Sequence, residues 1–336
     1  MELGILSLGD HLPDPRDGRR VSQADRLRAI VESGVRAEEL GFGMAAIGEH
    51  HFNDYIVSAP PVVLAAIAER TSRIRLSSAV TLLPMLDPVR VAEDFATLDL
   101  LSGGRMEMVI GRGISPDHYA AFGQDPGEAH ATLDEKLALL TALWSGDQPV
   151  TWSGRFRGPL DAVTVQPRPT RTPPRMWMGS GMSEESVRRV AEKGMPLMLP
   201  SIFRRPEDYA GLVTLYREIM ASSGKADQAL VGCCSHLHVK PTSQGATSDW
   251  RPHLVSYADW ANRIRGVEMK IDFDRLVDGP AICGSPAEVS ERLLAIGELL
   301  RPDVHLSVFD IGGLPDAEVA RTMELFAAEV MPKLRS

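Results

Sequence analysis

Short apolar runs alternate with amphipathic stretches along almost the whole chain. Runs typical of buried strands cover residues 3–8, 44–48, 74–83, 106–111, 175–179, 196–201, 229–240 and 304–310. Between them, apolar positions recur at the three- and four-residue spacing of helices that bury one face. These stretches cover residues 22–41, 62–71, 88–102, 128–145, 183–193, 206–222, 285–300 and 315–334. The pattern predicts eight steps of a strand followed by a helix.

Residues at the ends of these stretches support the helix boundaries. Ser22 precedes the first helix and Gly41 follows it, while Pro60, Pro61 and Pro88 open the next two. Serine caps a helix N-terminus, proline fits the first helical turn, and glycine commonly follows the last turn. Periodicity and local chemistry therefore predict the same helices.

Two segments interrupt the alternation. Residues 146–174 are dense in glycine and proline and contain two short β-like pieces, so we expect an inserted hairpin. Residues 241–280 form a second irregular excursion with some helix, and residues 112–127 form a long loop before the fourth helix.

Eight strand–helix steps predict an α/β protein with a parallel sheet, and eight strands close a (β/α)8 TIM barrel. The insertions follow strands four and seven, and we expect residues 1–336 to form a single domain. A doubly wound open sheet is the alternative. In a barrel, the functional residues lie at the C-terminal ends of the strands.

Composition narrows the possible partners and the compartment. Lys plus Arg number 36 against 45 Asp plus Glu, a net charge of −9. Such an acidic chain lacks the basic surface that holds a nucleic acid. The apolar runs are too short to span a membrane, and the N-terminus lacks the basic and apolar regions of a signal peptide. With only 3 cysteines, a disulfide framework is not expected, and we expect a cytoplasmic protein that binds no membrane.

Two adjacent histidines follow the second strand, in the sequence Glu49-His50-His51. They could act in acid–base catalysis, bind a metal together with Asp310 of the last strand, or be ordinary polar loop residues. Strands five and six offer no histidine to complete a metal site. We therefore expect no metal.

Small residues lie near the end of the third strand, and an arginine follows the fourth strand. Ser78, Ala79 and Val80 lie where compact side chains let the backbone approach a flat ligand. Arg112 lies between two glycines, and its guanidinium could grip a phosphate or carboxylate in a bidentate manner. A salt bridge to a neighbouring loop is the alternative role for this arginine.

A loop of glycine and serine joins the fifth strand to its helix. Free amides at a helix N-terminus bind anions, although Ser183 with Ser186 could form a plain capping turn. Together with Arg112, this loop favours a phosphate-bearing cofactor. The candidate loop residues are Gly179, Ser180, Gly181 and Ser183.

Several motifs in this chain resemble the bacterial luciferase-like flavin-dependent monooxygenase family. They occur in the family's order and span nearly the whole chain. The stretches LGILSLGD and GRFRGPLDAVTVQPRP are most similar to the uncharacterised FMN-dependent branch of that family. The family motifs are EHHF (49–52), LPMLDPVRVAEDFATLDLLSGGRMEMVIGRG (83–113), AAFGQD (120–125), AEKGMPLML (191–199) and the tail FAAEVMPKLR.

The resemblance implies a (β/α)8 barrel that binds reduced FMN at the strand C-termini. It implies a monooxygenase that activates O2 through a C4a-peroxyflavin to oxidise a small organic substrate. It further implies a separate flavin reductase that supplies the reduced FMN, and a homodimer that pairs through helices near the start of the chain.

The resemblance also assigns roles to single residues. His50 matches the catalytic histidine near the reactive edge of the flavin, and Arg112 matches the arginine that grips the FMN phosphate. The Ala79–Val80 bond matches a non-prolyl cis peptide beneath the isoalloxazine ring, and Gly179–Ser183 match a phosphate-side loop. The luciferase α subunit has a reactive cysteine where this chain has Gly111, a departure that argues against light emission but not against flavin binding.

Two other functions are compatible with this resemblance. Relatives on the same fold transfer hydride with a deazaflavin, and some family members are non-catalytic flavin-binding subunits. The EHH motif and the closer similarity to the FMN-dependent branch of the family favour FMN over a deazaflavin. The presence of both His50 and Arg112 argues against a non-catalytic subunit.

Overall fold

The structure, a computed structural model, describes residues 1–113, 115–266 and 271–334. Its strands are β1 (Glu2–Ser7), β2 (Met44–Ile47), β3 (Arg75–Leu82), β4 (Met106–Gly111), β5 (Val150–Trp152), β6 (Leu160–Val163), β7 (Arg175–Gly179), β8 (Leu197–Met198), β9 (Val231–Val239), β10 (Ile282–Gly284) and β11 (Val304–Val308). Its helices are α1 (Gln23–Glu39), α2 (Pro60–Ala68), α3 (Pro88–Leu101), α4 (Pro116–Ala121), α5 (Ala129–Trp144), α6 (Glu184–Glu192), α7 (Glu207–Ser222), α8 (Ser243–Ile264), α9 (Phe273–Val277), α10 (Pro286–Leu300), α11 (Asp316–Leu325) and α12 (Met331–Leu334).

Within these ranges, eight parallel strands close into a barrel with helices between them. The order is β1-β2-β3-β4-β7-β8-β9-β11, and pairing of β11 with β1 completes the circle. Strand β10 extends the sheet beside β9, and β5 and β6 form a separate antiparallel hairpin. The predicted (β/α)8 barrel and its insertions after the fourth and seventh barrel strands are confirmed, and the open doubly wound sheet is wrong.

Alternation along each strand divides the core into two layers. On β1, Leu3 and Ile5 pack with the helices, whereas Leu6 packs inside the barrel. Successive side chains of a strand point to opposite faces, so a closed sheet needs apolar residues on both. At Gly4 a Cβ atom would lie 2.7 Å from Leu306 Cδ2. The interior is thus filled with side chains and is not a pore.

The insertion after β9 differs from the sequence expectation. Where the sequence predicts an irregular excursion with some helix, residues 243–264 form one continuous 22-residue helix, α8, which contains Pro252. Thr242 caps the helix by accepting a hydrogen bond from the Gly245 amide. The Ser/Thr/Gly-rich start and the internal proline weaken the local helical signal, but Trp250 and Tyr257 are buried and pack the helix onto the barrel. Residues 267–270 of this segment lie outside the described residues.

The predicted long loop after β4 contains the short helix α4. Its 6 residues make fewer than two turns, which is too short for a periodic pattern to be recognised. Ile114 of this loop lies outside the described residues. Among the described helices, none combines the length and the apolar character that a membrane span needs.

A buried ion cluster joins α1 to the ends of the first and last strands. The Arg26 guanidinium lies 2.9 Å from Asp310 Oδ2 and 3.6 Å from Asp10 Oδ1. The Ser7 hydroxyl donates to Asp310, and the Gly312 amide donates to Asp10. Burial raises the pKa of Asp10 to about 7, although the charge of Arg26 acts in the opposite direction. One guanidinium therefore stabilises two buried carboxyl groups.

Replacing Arg26 with Met should lower the free energy of unfolding by about 3–5 kcal/mol at pH 8, because two buried carboxylates lose their counter-charge. A buried carboxyl group with a raised pKa binds more protons in the native than in the unfolded state, so lowering the pH stabilises the native state. Because the charge of Arg26 lowers the Asp10 pKa, that pKa should be higher still in the variant. The variant should therefore gain more stability than wild type on acidification, and the difference between them should shrink between pH 8 and pH 5. Urea unfolding at both pH values measures this difference.

Arg28 provides the matched control on the same helix, since its pair with Asp25 is largely exposed. An Arg28→Met variant should lose less than about 1 kcal/mol. Equal losses in the two variants, or a loss in Arg26→Met that grows on acidification, would contradict the role of the buried cluster.

Candidate active site

The predicted site residues lie at or just after the C-terminal ends of neighbouring strands, at one rim of the barrel. Strand β2 pairs with β3, β3 with β4, and β4 with β7, all in parallel. The segments that follow these strands therefore lie side by side, although they come from distant parts of the sequence. The structure thus places His50, the Ala79–Val80 bond, Arg112 and Gly179 along one arc of the rim.

A cis peptide bond joins Ala79 to Val80, as the resemblance implies. The pairing of β3 with β4 shifts register between Ala79 and Thr81, so Val80 forms a bulge. Its side chain covers two glycines: a Cβ atom at Gly111 or Gly179 would lie 2.5 or 2.8 Å from a Val80 methyl carbon. Val80 therefore occupies the space that a cysteine at position 111 would need.

The side chain of Ser78, unlike those of Ala79 and Val80, is engaged in hydrogen bonds within the protein. It is fully buried, its hydroxyl donates to the Val109 carbonyl at 3.4 Å, and it accepts a hydrogen bond from Thr81 at 2.7 Å. Ala79 and Val80 remain partly exposed at the rim. The Ser78 hydroxyl thus supports the bulge, while Ala79 and Val80 are available to a ligand.

The imidazole of His50 is held at the rim by packing. Its ring stacks on Tyr55 with 3.8 Å between centroids, and its backbone amide donates to the Val57 carbonyl. Part of the residue reaches the surface, but Nδ1 is buried and has no partner among the described residues. Burial, helped by nearby His118 and His51, lowers the pKa of His50 to about 3. The ring is therefore neutral at pH 7, with one N–H and one lone pair.

Glu49 is a structural residue of the site that the sequence did not single out. Its buried carboxylate accepts hydrogen bonds from the Leu82 amide at 3.0 Å and from His51 Nε2 at 2.9 Å. His118 of α4 donates to the His51 carbonyl. Glu49 thus ties the loop after β2 to the end of β3 and fixes His51. In the sequence, the only signal for this role of Glu49 is its position directly before the two histidines.

The metal-binding alternative has no support in the geometry. Asp310 is bonded to Arg26 and Ser7, and His51 is bonded to Glu49. Across the three described ranges, no group of three His, Cys, Asp or Glu side chains is arranged to hold a metal ion.

Arg112 presents a free cation at the end of β4. Its side chain is exposed, and its guanidinium makes no hydrogen bond or ion pair with another described residue. Tyr119 fixes the backbone by donating to the Arg112 carbonyl. His130, at the start of α5, was not singled out in the sequence. Its pKa is lowered by burial and by the charges of Arg112 and Arg189, whereas Asp134 and Glu185, which pair with Arg189, act in the opposite direction.

The Gly/Ser loop after β7 contains the N-terminal cap of α6. Ser183 and Ser186 form a reciprocal capping box at the start of α6, with hydrogen bonds of 3.1 and 3.2 Å. Glu184 and Glu185 occupy the first turn and oppose an anion there. Of the loop residues, Gly179, Ser180 and Gly181 precede this cap; a Cβ atom at Gly179 would meet Val80, whereas one at Gly181 would meet Leu199.

Two cavities lie away from this arc of the rim. One, of about 590 Å³, lies at the N-terminal end of the barrel, where Arg75 pairs with Glu2 and Glu107. The other, of about 370 Å³, lies beside Asp10 and Arg26. Catalytic residues of TIM barrels lie at the C-terminal strand ends, so the N-terminal cavity is not the candidate site.

Known proteins resemble the chain over nearly its full length. The crystal structure of the monooxygenase RslO1 from Streptomyces bottropensis has a TM-score of 0.88 and 28% identity, with 99% of this chain and 100% of that chain covered. The F420-dependent glucose-6-phosphate dehydrogenase of Beutenbergia cavernae is 28% identical over 92% of this chain and 94% of its own length.

A further relative has a lower identity to this chain. The alkanal monooxygenase alpha chain of the Kryptophanaron alfredi symbiont is 23% identical over 94% of this chain and 95% of its own length. The family model of the luciferase-like monooxygenases matches residues 1–301, and this chain therefore belongs to the luciferase-like monooxygenase family.

Proposed function

We propose that this chain is an FMN-dependent monooxygenase that oxidises a small organic substrate with O2, using reduced FMN supplied by a separate reductase. One observation carries the proposal: a free arginine and a neutral histidine flank the partly exposed bulge at Ala79–Val80. FMN, a flat ring with a phosphate tail, needs a cation at one end and an apolar backbone support for the ring.

The residues present suit such a cofactor. Arg112 would bind the phosphate, since its guanidinium has no competing partner in the described parts of the chain and can donate two parallel hydrogen bonds. His130 would add a second donor at that end. Ala79 and Val80 would support the ring, with Val80 held in place over Gly111 and Gly179. Reduced FMN, when bound there, supplies the electrons that activate O2.

His50 would handle protons at the other end of the site. Because its pKa is lowered to about 3, the imidazole is neutral across the physiological range. A neutral ring can donate a hydrogen bond from one nitrogen and accept a proton at the other. Burial makes the protonated state short-lived, which suits a group that passes a proton on.

Hydride transfer with a deazaflavin is the second candidate function. It is favoured by the 28% identity to an F420-dependent dehydrogenase over most of both chains. The same arginine and bulge would accept a deazaflavin, so the cofactor itself must be tested.

Homodimer formation in the cytoplasm is part of the proposal. Val62 of α2 and Leu100 and Leu101 of α3 are exposed apolar side chains on helices near the start of the chain. Exposed apolar surface of this kind favours burial against a second copy, and two-fold dimers are the commonest assemblies.

Anaerobic titration tests the cofactor. Reduced FMN should bind more tightly than oxidised FMN, because an oxygenase that receives flavin from a reductase must capture the reduced form. Calorimetry with reduced FMN, oxidised FMN and F420 measures the order of affinities. Tighter binding of F420 than of reduced FMN would replace the monooxygenase by the hydride-transfer function.

Arg112→Ala should weaken FMN binding by about 1.5–3 kcal/mol, the range for a hydrogen bond to a charged group. Riboflavin, which has no phosphate, should bind the variant and the wild type equally. Arg188→Ala is the control, because Arg188 is a half-exposed arginine on α6 that pairs with Glu184. A parallel loss of FMN and riboflavin affinity would show that Arg112 is structural.

His50→Ala should keep the fold and the FMN affinity but lower oxygenation of any accepted substrate by roughly 10²–10⁴-fold, the usual contribution of a positioned proton-transfer group. Product formation under ¹⁸O2 and release of H2O2 are the measurements. Because the pKa of His50 is held at about 3, the wild-type rate should show no break from this residue between pH 5 and pH 8. Undiminished product formation in the variant would refute the role.

A further inference from the structure

We propose that His236, Tyr257 and Tyr55 bind the oxygen-bearing edge of a flat, neutral aromatic substrate. The site lies beside His50 on the far side of the mouth from Arg112. The proposal rests on the function proposed above, to which it adds a substrate class and the residues that select it.

Aromatic side chains from three elements line this part of the mouth. His236 lies on β9, Tyr257 and Trp260 lie on α8, and Tyr55 follows β2. Tyr55 and Trp260 meet edge to face with 4.7 Å between centroids, and His236 meets Tyr257 edge to face at 5.1 Å. Tyr55 also stacks on His50 at 3.8 Å. Aromatic faces in this arrangement form walls that suit a planar ring.

These four side chains are buried, but less completely than side chains in the middle of the barrel. Each of the four keeps a small accessible fraction, and Met44 and Val109 deeper in the barrel are essentially inaccessible. The exposed fractions are 8% for Tyr55, 5% for Tyr257, 7% for Trp260 and 8% for His236, against 1% for Met44 and 0% for Val109.

Three hydrogen-bonding groups in this cluster are not used by the protein. The Nε2 atom of His236 and the Nδ1 atom of His50 are buried and have no partner among the described residues. The hydroxyls of Tyr55 and Tyr257 share one hydrogen bond of 2.7 Å. Burial raises the pKa of both tyrosines, so both keep their protons. Only one proton can lie in the shared bond, which leaves one O–H as a free donor.

Unused buried polar groups are costly unless a ligand pairs with them, because each has lost its hydrogen bonds to water. A hydroxyl or carbonyl oxygen on the ligand would pair with the free O–H and with His236. Burial lowers the pKa of His236 to about 4, so this ring is neutral at pH 7. Its two nitrogens can then serve one donor and one acceptor.

The charged groups around the cluster favour a neutral ligand. Asp10 and Arg265 both affect the tyrosine pKa values. Asp10 is held by Arg26 and the Gly312 amide, and the Arg265 guanidinium is bonded within its own helix. Neither is free to neutralise an ionic ligand. The ligand class is therefore a neutral phenol or aryl ketone.

A pair of probes that differ by one hydroxyl tests this site. We would measure binding of 2-naphthol and naphthalene by calorimetry, to the whole chain with and without FMN. Wild type should bind 2-naphthol roughly three- to tenfold more tightly than naphthalene, the factor for one neutral hydrogen bond. His236→Leu should abolish that preference without weakening naphthalene binding, and His236→Gln should retain part of it.

The double variant Tyr55→Phe/Tyr257→Phe provides a second test, because it removes both hydroxyls of the shared bond, and with them the free O–H, while keeping the aromatic wall. It should also reduce the preference, and it decides the question if His236→Leu does not fold. The control is His305→Leu, since His305 is another buried histidine with an unpartnered Nδ1 but packs against Ser235 outside this cluster. The His305→Leu variant should keep the wild-type preference for 2-naphthol over naphthalene.

Equal affinity of wild type for both probes would overturn the proposal, as would an undiminished preference in both His236→Leu and the Tyr55→Phe/Tyr257→Phe double variant. FMN affinity, measured on the same samples, separates this result from the proposed function. A preference that depends on His236 in a chain that binds no FMN would sustain the aromatic site and reject the monooxygenase. FMN binding without a preference for 2-naphthol would reject the aromatic site and leave the monooxygenase proposal standing.

Discussion

Pairing between the first and the last strand closes the barrel, and the arrangement of the mouth depends on that closure. Strands β1 and β11 pair from Glu2–Val304 to Ile5–Ser307. Just beyond this seam, the buried guanidinium of Arg26 contacts the carboxyl groups of Asp310 and Asp10. A parallel closed sheet directs all its strand C-termini to one rim. Residues that are hundreds of positions apart can therefore share one site.

The rim combines two chemically different halves. The arc from β2 to β7 carries a free cation, a bulge and glycines covered by Val80. The other half, from β9 and α8, carries aromatic walls with unused hydrogen-bonding groups. His50 lies where the halves meet, since it stacks on Tyr55 and neighbours the bulge through Gly48. A neutral histidine at this position would offer a hydrogen-bond donor and a proton acceptor to both the flavin and the aromatic substrate.

Several features of the site could be predicted from the sequence because their signals are local. Arg112 between two glycines, the EHH motif and the strand ends are all visible within a few residues. The length and continuity of helix α8 could not be recognised, since Pro252 and its polar first turn weaken a helix that is stabilised by the burial of Trp250 and Tyr257. The engagement of the Ser78 hydroxyl with Val109 and Thr81 also depends on cross-strand register.

By itself, the sequence determined the eight strand–helix steps, the two insertions and the residues that end each strand, because periodicity and turn chemistry act over a few neighbouring positions. Only the tertiary structure decided which of those residues meet. Tyr55 and Tyr257 are 202 positions apart and share a hydrogen bond, and His130 lies within the field of Arg112. Such contacts depend on barrel closure and helix packing, and desolvation in the closed interior is what keeps His50 and His236 neutral.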